Sequence, residues 1–418
     1  MIKNSFIFTF FELLNKAVPF LLIPIFTRYL APEDYGIIAS FAAFISFLGI
    51  FIGLSGNGAV DANYYRLERE ELSKYIANVL LVLVATTLLA LIIILFTSDV
   101  IVQKLNIPIK WQVAALLVVL SQFITLVNLS LWVIEQKPIY YGVYQFSQTL
   151  VISLISVILI VGFLFNWEGS LIATFIGSTI FAFISLIVLY KRGYLKIKVE
   201  KEYIDDFLKF GLPMIPHQFG GWLRTQGDKI VVLTIIGTTA TGLFAVGQQI
   251  GFVMSIFMSS LNKALYPILF RRLSSELNCE GKKSLVKVTY VIAFCIFILG
   301  MLLIIAMEFI YPYFLGKEFQ NSLLLTQLII ISFIFDGFYY LVANYLFYYK
   351  KTAKLAKVTF MISVLHIFLS MAFVILLGTI GVGYALIISG LLQVVFVWRL
   401  SNQIYPMPWF SFWRKNEI

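Results

Sequence analysis

Apolar residues are grouped along the chain into long runs separated by short polar breaks. Twelve runs stand out, at 5–27, 36–58, 75–97, 111–133, 141–163, 168–189, 211–235, 243–265, 286–309, 320–347, 356–377 and 381–400. Each is near the roughly 20 residues that a helix needs to cross the hydrocarbon core. The breaks carry turn and loop residues, as in Ala31-Pro32-Glu33-Asp34-Tyr35-Gly36, Asn106-Ile107-Pro108, Asn166-Trp167-Glu168-Gly169 and Gly237-Thr238-Thr239. The pattern predicts an all-α membrane protein of twelve transmembrane helices, with only short connections between them.

Composition agrees and narrows the classes. Of the 418 residues, 61% are hydrophobic and 12% charged; a soluble domain carries about 25% charged residues. A soluble enzyme, a disulfide-stapled secreted domain and a disordered chain are excluded. The first apolar run lacks a small-residue cleavage site after it and reads as a retained helix. Two cysteines, Cys279 and Cys295, and two histidines, His217 and His366, form no Cys/His cluster, so neither a zinc site nor any other cofactor is expected.

Charge gives an orientation. The side holding the N-terminus and the even-numbered loops carries 23 of the lysines and arginines, from Lys3 through Lys350 to Arg414 and Lys415. The other side carries 4: Arg28, Lys104, Lys110 and Lys317. The positive-inside rule places the richer side, and both termini, in the cytoplasm. The net charge of +10 then reflects topology and anionic headgroups, and no nucleic-acid partner is expected.

The chain also repeats itself. Residues 30–39 align with 236–245, and Gly169-Ser170-Leu171-Ile172-Ala173 aligns with Gly381-Val382-Gly383-Tyr384-Ala385. This predicts a six-helix lobe at 1–190, a cytoplasmic linker at 191–210, a second six-helix lobe at 211–400 and a cytoplasmic tail at 401–418. Parallel repeats of this kind occur in secondary transporters, with the substrate between the halves.

Arg28-Tyr29-Leu30-Ala31-Pro32-Glu33-Asp34-Tyr35-Gly36 resembles the R-x-L-x-P-x-x-Y/F-G turn of bacterial polysaccharide flippases. These O-antigen and capsule flippases belong to the multidrug/oligosaccharidyl-lipid/polysaccharide exporter superfamily. The span count, the repeat and Gly242-Leu243-Phe244-Ala245 after the seventh span are similar too. The resemblance implies two six-helix bundles around a central cavity. It also implies movement of an undecaprenyl-diphosphate-linked repeat unit from the cytoplasmic to the outer leaflet of the bacterial inner membrane. Membrane lipids and other assembly proteins, such as a polymerase and a chain-length regulator, are the implied partners.

Ionisable residues at membrane depth are costly and usually face a cavity or each other. Glu12 and Lys16 stand four apart in the first span, either as a self-cancelling pair or as cavity residues. In the seventh span His217, Gly221, Arg224 and Asp228 share one face, after Pro213 and Pro216. There the alternatives are a locking Arg–Asp pair and a cavity lining. Lys263 sits near the inner end of the eighth span, and Asp336 lies in the tenth without a cation nearby in sequence. Arg224, Lys263, Lys16 and Arg28 are the cations expected to meet a diphosphate, since Arg offers a fork of donors and Lys a compact charge. Asp228, Glu12 and Asp336 are the carboxylates expected in ion coupling or charge pairing. His366 reads as an interior histidine. Mid-span Gln122, Thr125, Asn128, Gln145, Gln148, Gln248, Gln249 and Asn344 suit either helix–helix contacts or a sugar path.

Two rival functions share this hydropathy. The same carboxylates suit a cation-coupled multidrug antiporter of the same superfamily. A membrane-embedded sugar polymerase or ligase usually needs a large outward loop with catalytic residues, and the outward loops here are short.

Overall fold

The computed structural model describes residues 2–275 and 278–411, and for Ile2, Lys3 and Ser5 the backbone alone. The Lys3 side chain, Arg414, Lys415 and the tail beyond residue 411 therefore lie outside the described residues. Among these residues all regular structure is helical: α1 (Ile2–Tyr29), α2 (Pro32–Gly53), α3 (Gly56–Asn63), α4 (Arg69–Leu105), α5 (Ile109–Ile134), α6 (Pro138–Val157), α7 (Asn166–Lys191), α8 (Lys201–Gly211), α9 (Ile215–Ile235), α10 (Thr238–Leu273), α11 (Cys279–Phe314), α12 (Leu323–Tyr348), α13 (Thr352–Leu377) and α14 (Ile380–Ile404). A π turn, Ile158–Gly162, extends α6.

Eleven of these helices are long and apolar enough to cross a bilayer, so the chain is a multi-pass membrane protein. They are α1, α2, α4, α5, α6, α7 and α10 to α14. The remaining predicted span is α9, a helix of 21 residues. Arg224, Asp228 and Lys229 within it lower its apolarity.

The chain divides into two compact units, Met1–Gly242 and Leu243–Ile418. By compactness, α8, α9 and the first turn of α10 go with the first unit, whereas the sequence repeat sets its boundary at 191–210.

Pro32 opens α2 at its first position, where the missing N–H costs nothing. The Asp34 carboxylate accepts from the Ala31 N–H at 3.0 Å. Tyr35 is buried. Gly36 lies against the first turn of α10, so that a Cβ would sit 1.9 Å from the Thr238 carbonyl oxygen. The contact is reciprocal, because a Cβ on Gly242 would sit 1.8 Å from the Pro32 carbonyl oxygen. Pro32 with Gly36 and Thr238 with Gly242 are equivalents under the 30–39/236–245 alignment, so repeated residues meet across a local pseudo-twofold axis. Gly169 and Gly381, the other aligned pair, each begin a helix packed tightly on the end of the preceding one. Ala173 and Ala385 are both fully buried.

α2 stops before its predicted end. Leu54 and Ser55 take left-handed backbone angles, φ 45° and 54°, and α3 restarts the chain in a new direction. α8 closes against this corner: a Cβ on Gly211 would lie 2.5 Å from the Leu54 carbonyl oxygen. The predicted linker is thus largely structured. α8 is amphipathic and buries Phe207 in a core with Leu54, Val60, Leu72, Tyr75 and Val79. Asp206 accepts from the Tyr75 hydroxyl at 2.9 Å and the Asn63 amide at 3.2 Å. Asn78 holds the strand-like lead-in by donating to the Lys198 carbonyl at 2.8 Å and accepting from the Glu200 N–H at 3.1 Å.

In the second unit, small residues let helices approach. Gly337 of α12 meets Met258 and Ile296, and Gly383 of α14 meets Leu328. The segment after α14 folds back, burying Met407 and Trp409 beside Leu285, Tyr345 and Leu346.

Candidate functional site

In the first unit the charged face of α1 is open. Lys16 Nζ and Glu12 Oε1 form an ion pair of 2.9 Å with side chains 46% and 52% exposed. Gly142 of α6 allows α1 to come close: a Cβ there would collide with the Phe11 ring at 2.0 Å. That approach brings Asn15, absent from the sequence prediction, against α6. Its Nδ2 donates to Gln145 Oε1 at 3.2 Å, and its Oδ1 accepts from the Thr149 hydroxyl at 2.9 Å. The Phe8 and Tyr141 rings meet edge to face at 5.3 Å one turn away. Arg28 is exposed at the end of α1.

α9 divides cleanly. One face lies on α2: the Trp222 indole N–H donates to the Ala43 carbonyl and to Ser46 Oγ, both at 3.1 Å. The Gln218 amide donates to Ser55 Oγ at 2.7 Å. Phe47 packs against both Phe219 and Trp222. The other face holds His217, Gly221 and Arg224, all exposed, and nothing lies within 4 Å of a Cβ on Gly220 or Gly221. Asp228 shares this face by spacing but is buried. Lys229, off this face, donates to Gln226 at 3.1 Å.

In the second unit Lys263 is exposed on α10 and Asp336 is half-buried on α12. Beside Lys263, Asn262 accepts from the Asn344 amide at 2.8 Å. A small cavity next to that bond is lined by Met258, Leu261, Tyr340 and Leu341. His366 shares a 3.0 Å hydrogen bond with Ser389, as an interior histidine would.

Two carboxylates with no place in the sequence prediction stand at helix ends of the first unit. Glu135, just past α5, meets Arg192 Nη2 at 2.5 Å and Lys137 at 2.8 Å, and accepts from the Tyr194 hydroxyl. Arg69 lies 3.2 Å and Arg192 4.9 Å from the Tyr194 ring centroid. Burial pushes the Glu135 carboxyl up, but Lys137, Tyr194 and Arg192 together hold it below the usual glutamate value. Asp61 on α3 is the opposite case. Burial pushes its carboxyl above the ordinary 3.8, against the Ser130 hydroxyl bond. Its buried Oδ1 accepts no hydrogen bond among the described residues.

Helical spacing signalled the α1 and α9 faces. Asn15 carried a weaker signal, a polar residue between two charges. Glu135 and Asp61 carried none: Arg192, Tyr194 and Ser130 lie far from them in sequence, and Lys137 reads as an ordinary loop cation.

The fold is one of long, apolar, polytopic helices with polar faces left open. It is similar to that of the lipid II flippase MurJ in an inward closed conformation, with a TM-score of 0.71, 18% identity, and coverage of 99% of this chain and 89% of that one. It is also similar to an inward-facing multidrug resistance MATE family transporter of the MOP superfamily, with a TM-score of 0.63, 13% identity, and coverage of 93% and 94%. Residues 1–273 match the family described as "Polysaccharide biosynthesis protein", and the chain belongs to that family. Two Haemophilus influenzae proteins are similar over most of their length. The "Uncharacterized membrane protein" is 28% identical over 363 residues, 85% of this chain and 86% of its own. The "Lsg locus putative protein 1" is 26% identical over 378 residues, 87% of this chain and 89% of its own.

Proposed function

We propose that this protein flips undecaprenyl-diphosphate-linked oligosaccharide repeat units from the cytoplasmic to the outer leaflet of the bacterial inner membrane, for O-antigen, capsule or exopolysaccharide assembly. The observation that carries this reading is the open polar face of α9, with Arg224 exposed on it, in a chain of the polysaccharide biosynthesis family. A face with a guanidinium cannot lie against lipid tails without a large cost, so it belongs to an aqueous path. A diphosphate in that path would meet a planar fork of donors. Lys16, Arg28 and Lys263 are the other cations of the path in this reading. Glu12, Asp228 and Asp336 balance charge or couple an ion. Transport proceeds by alternating access between two six-helix lobes, with both termini in the cytoplasm. The solved neighbours are a flippase and a transporter by name, and the reading assigns no catalytic residue. A polymerase and a chain-length regulator are the proposed downstream partners.

The test is deletion in the native bacterium, with rescue by wild type, Arg224→Ala and Arg224→Lys. Deletion is expected to strip surface glycan and accumulate lipid-linked units. Arg224→Ala at normal protein level is expected to fail, and Arg224→Lys to rescue in part. The membrane carboxylates favour one rival, a cation-coupled multidrug antiporter. Unchanged glycan with new sensitivity to cationic dyes would establish that rival instead.

A further inference from the structure

The open side of α1 carries more than charge. At 1.5 Å per residue, Glu12 and Lys16 lie about 9 and 15 Å along the axis from Phe6, where the apolar span starts. That is roughly a third to half of the way across a 30 Å core. On a helical projection Glu12, Asn15 and Lys16 fall within an arc of about 100°. The exposed apolar residues Phe6, Phe10, Leu13 and Leu21 centre about 150° away. So α1 presents lipid-compatible side chains on one side and an exposed ion pair on the other. The second side therefore faces water or substrate.

Beside that ion pair, two helices contribute a compact set of amides and hydroxyls: Asn15 from α1, Gln145 and Thr149 from α6. All three are half-buried, so the set is reachable from the open side. The hydrogen bonds tie down the Asn15 carbonyl and the Gln145 carbonyl, and fix both amide planes. Asn15 Nδ2 is also committed to the Phe11 carbonyl at 2.9 Å. The amide nitrogen of Gln145 retains donor capacity, since an amide carries two N–H groups. Tyr141 adjoins both Gln145 and Glu12. An oriented amide donor, a carboxylate acceptor and an aromatic ring match the hydroxyls and apolar ring face of a pyranose. Glu12 offsets the charge of Lys16 here, so this groove offers a diphosphate less than Arg224 does.

We infer that the α1/α6 groove of the first unit is a sugar subsite, in which Asn15, Gln145 and Thr149, with Glu12 and Tyr141, bind hydroxyls of the glycan moved by this protein. The inference rests on the lipid-linked glycan reading above, and separates the sugar contact from the cation contact at Arg224.

The probes are the glycolipid extracted from a strain lacking this protein and undecaprenyl diphosphate without sugar. Both are titrated against the purified full chain in lipid nanodiscs. The wild type is expected to bind the glycolipid about tenfold more tightly than the bare lipid, the worth of one to two net hydrogen bonds. Gln145→Met keeps the length and removes the amide, and it is expected to bring that ratio close to one. Thr149→Val, which keeps the shape, is the second variant in case the first does not accumulate; it is expected to lower the ratio about threefold. A variant that weakens both lipids in proportion, leaving the ratio intact, would show the set to be helix packing only and overturn the subsite. A wild-type ratio near one would overturn it too. Failure of the deletion strain to accumulate glycolipid, or of the wild type to bind either lipid, would instead sink the flippase reading beneath it.

Discussion

Glu135 and Asp61 are carboxylates in opposite surroundings, and pH separates them. Glu135 is held below its ordinary 4.5 by Lys137, Tyr194 and Arg192, in spite of burial. Its contribution to stability is complete above that ordinary value and is lost as pH falls through the lowered one. Thermal unfolding in detergent should show a melting temperature that drops on acidification below about pH 4.5, with Glu135→Gln flattening the drop. At neutral pH the same substitution leaves Arg192 partly buried without its counter-charge and should cost about 3–5 kcal/mol. Asp61 runs the other way. Its folded pKa lies above 3.8, so the folded state holds the proton longer and loses stability as pH rises through that window. Asp61→Asn, neutral and nearly isosteric, should raise the melting temperature at neutral pH. A lower melting temperature would point to a favourable charge at Asp61.

At the scale of elements, the reciprocal approach of Gly36 and Gly242 is the tightest backbone-to-backbone demand at a glycine in the first unit. The atoms a Cβ would strike are backbone carbonyls, which no rotamer change can move aside. Gly36→Ala and Gly242→Ala should each separate the helix starts and cost about 1–3 kcal/mol, read as loss of folded protein or a lowered melting temperature. Equal effects at the two sites are expected from the local twofold relation. The helices themselves were legible in the sequence, because a bilayer imposes a minimum length on any apolar run. Three features were hidden. α8 shows apolar residues at 203, 204, 207 and 208, but it is short and lies among charges that read as a loop. The left-handed residues at the break are Leu54 and Ser55 and not the flanking Gly53 and Gly56, so the packing of α8 and α9 around it shows where the turn falls. The tail is docked through Met407 and Trp409, which local sequence does not signal. The site was legible in the same proportion. Glu12 and Lys16 were visible as an i, i+4 pair, and the α9 face by its 4-3-4 spacing. Asn15 meets Gln145 across 130 residues, and no local pattern connects them.

At the scale of the whole molecule, a polysaccharide biosynthesis family, a polytopic helical fold and two open polar faces in the first unit support one function, movement of a lipid-linked glycan between leaflets. The most direct measurement reconstitutes the purified full chain into liposomes containing that glycolipid in both leaflets. Membrane-impermeant periodate is then added outside and the oxidised fraction followed in time. A glycan flippase gives a second, protein-dependent phase in which inner-leaflet glycolipid becomes accessible, greatly slowed in Arg224→Ala. Oxidation that stops at the outer-leaflet half with wild-type protein, across imposed proton and sodium gradients, would contradict it.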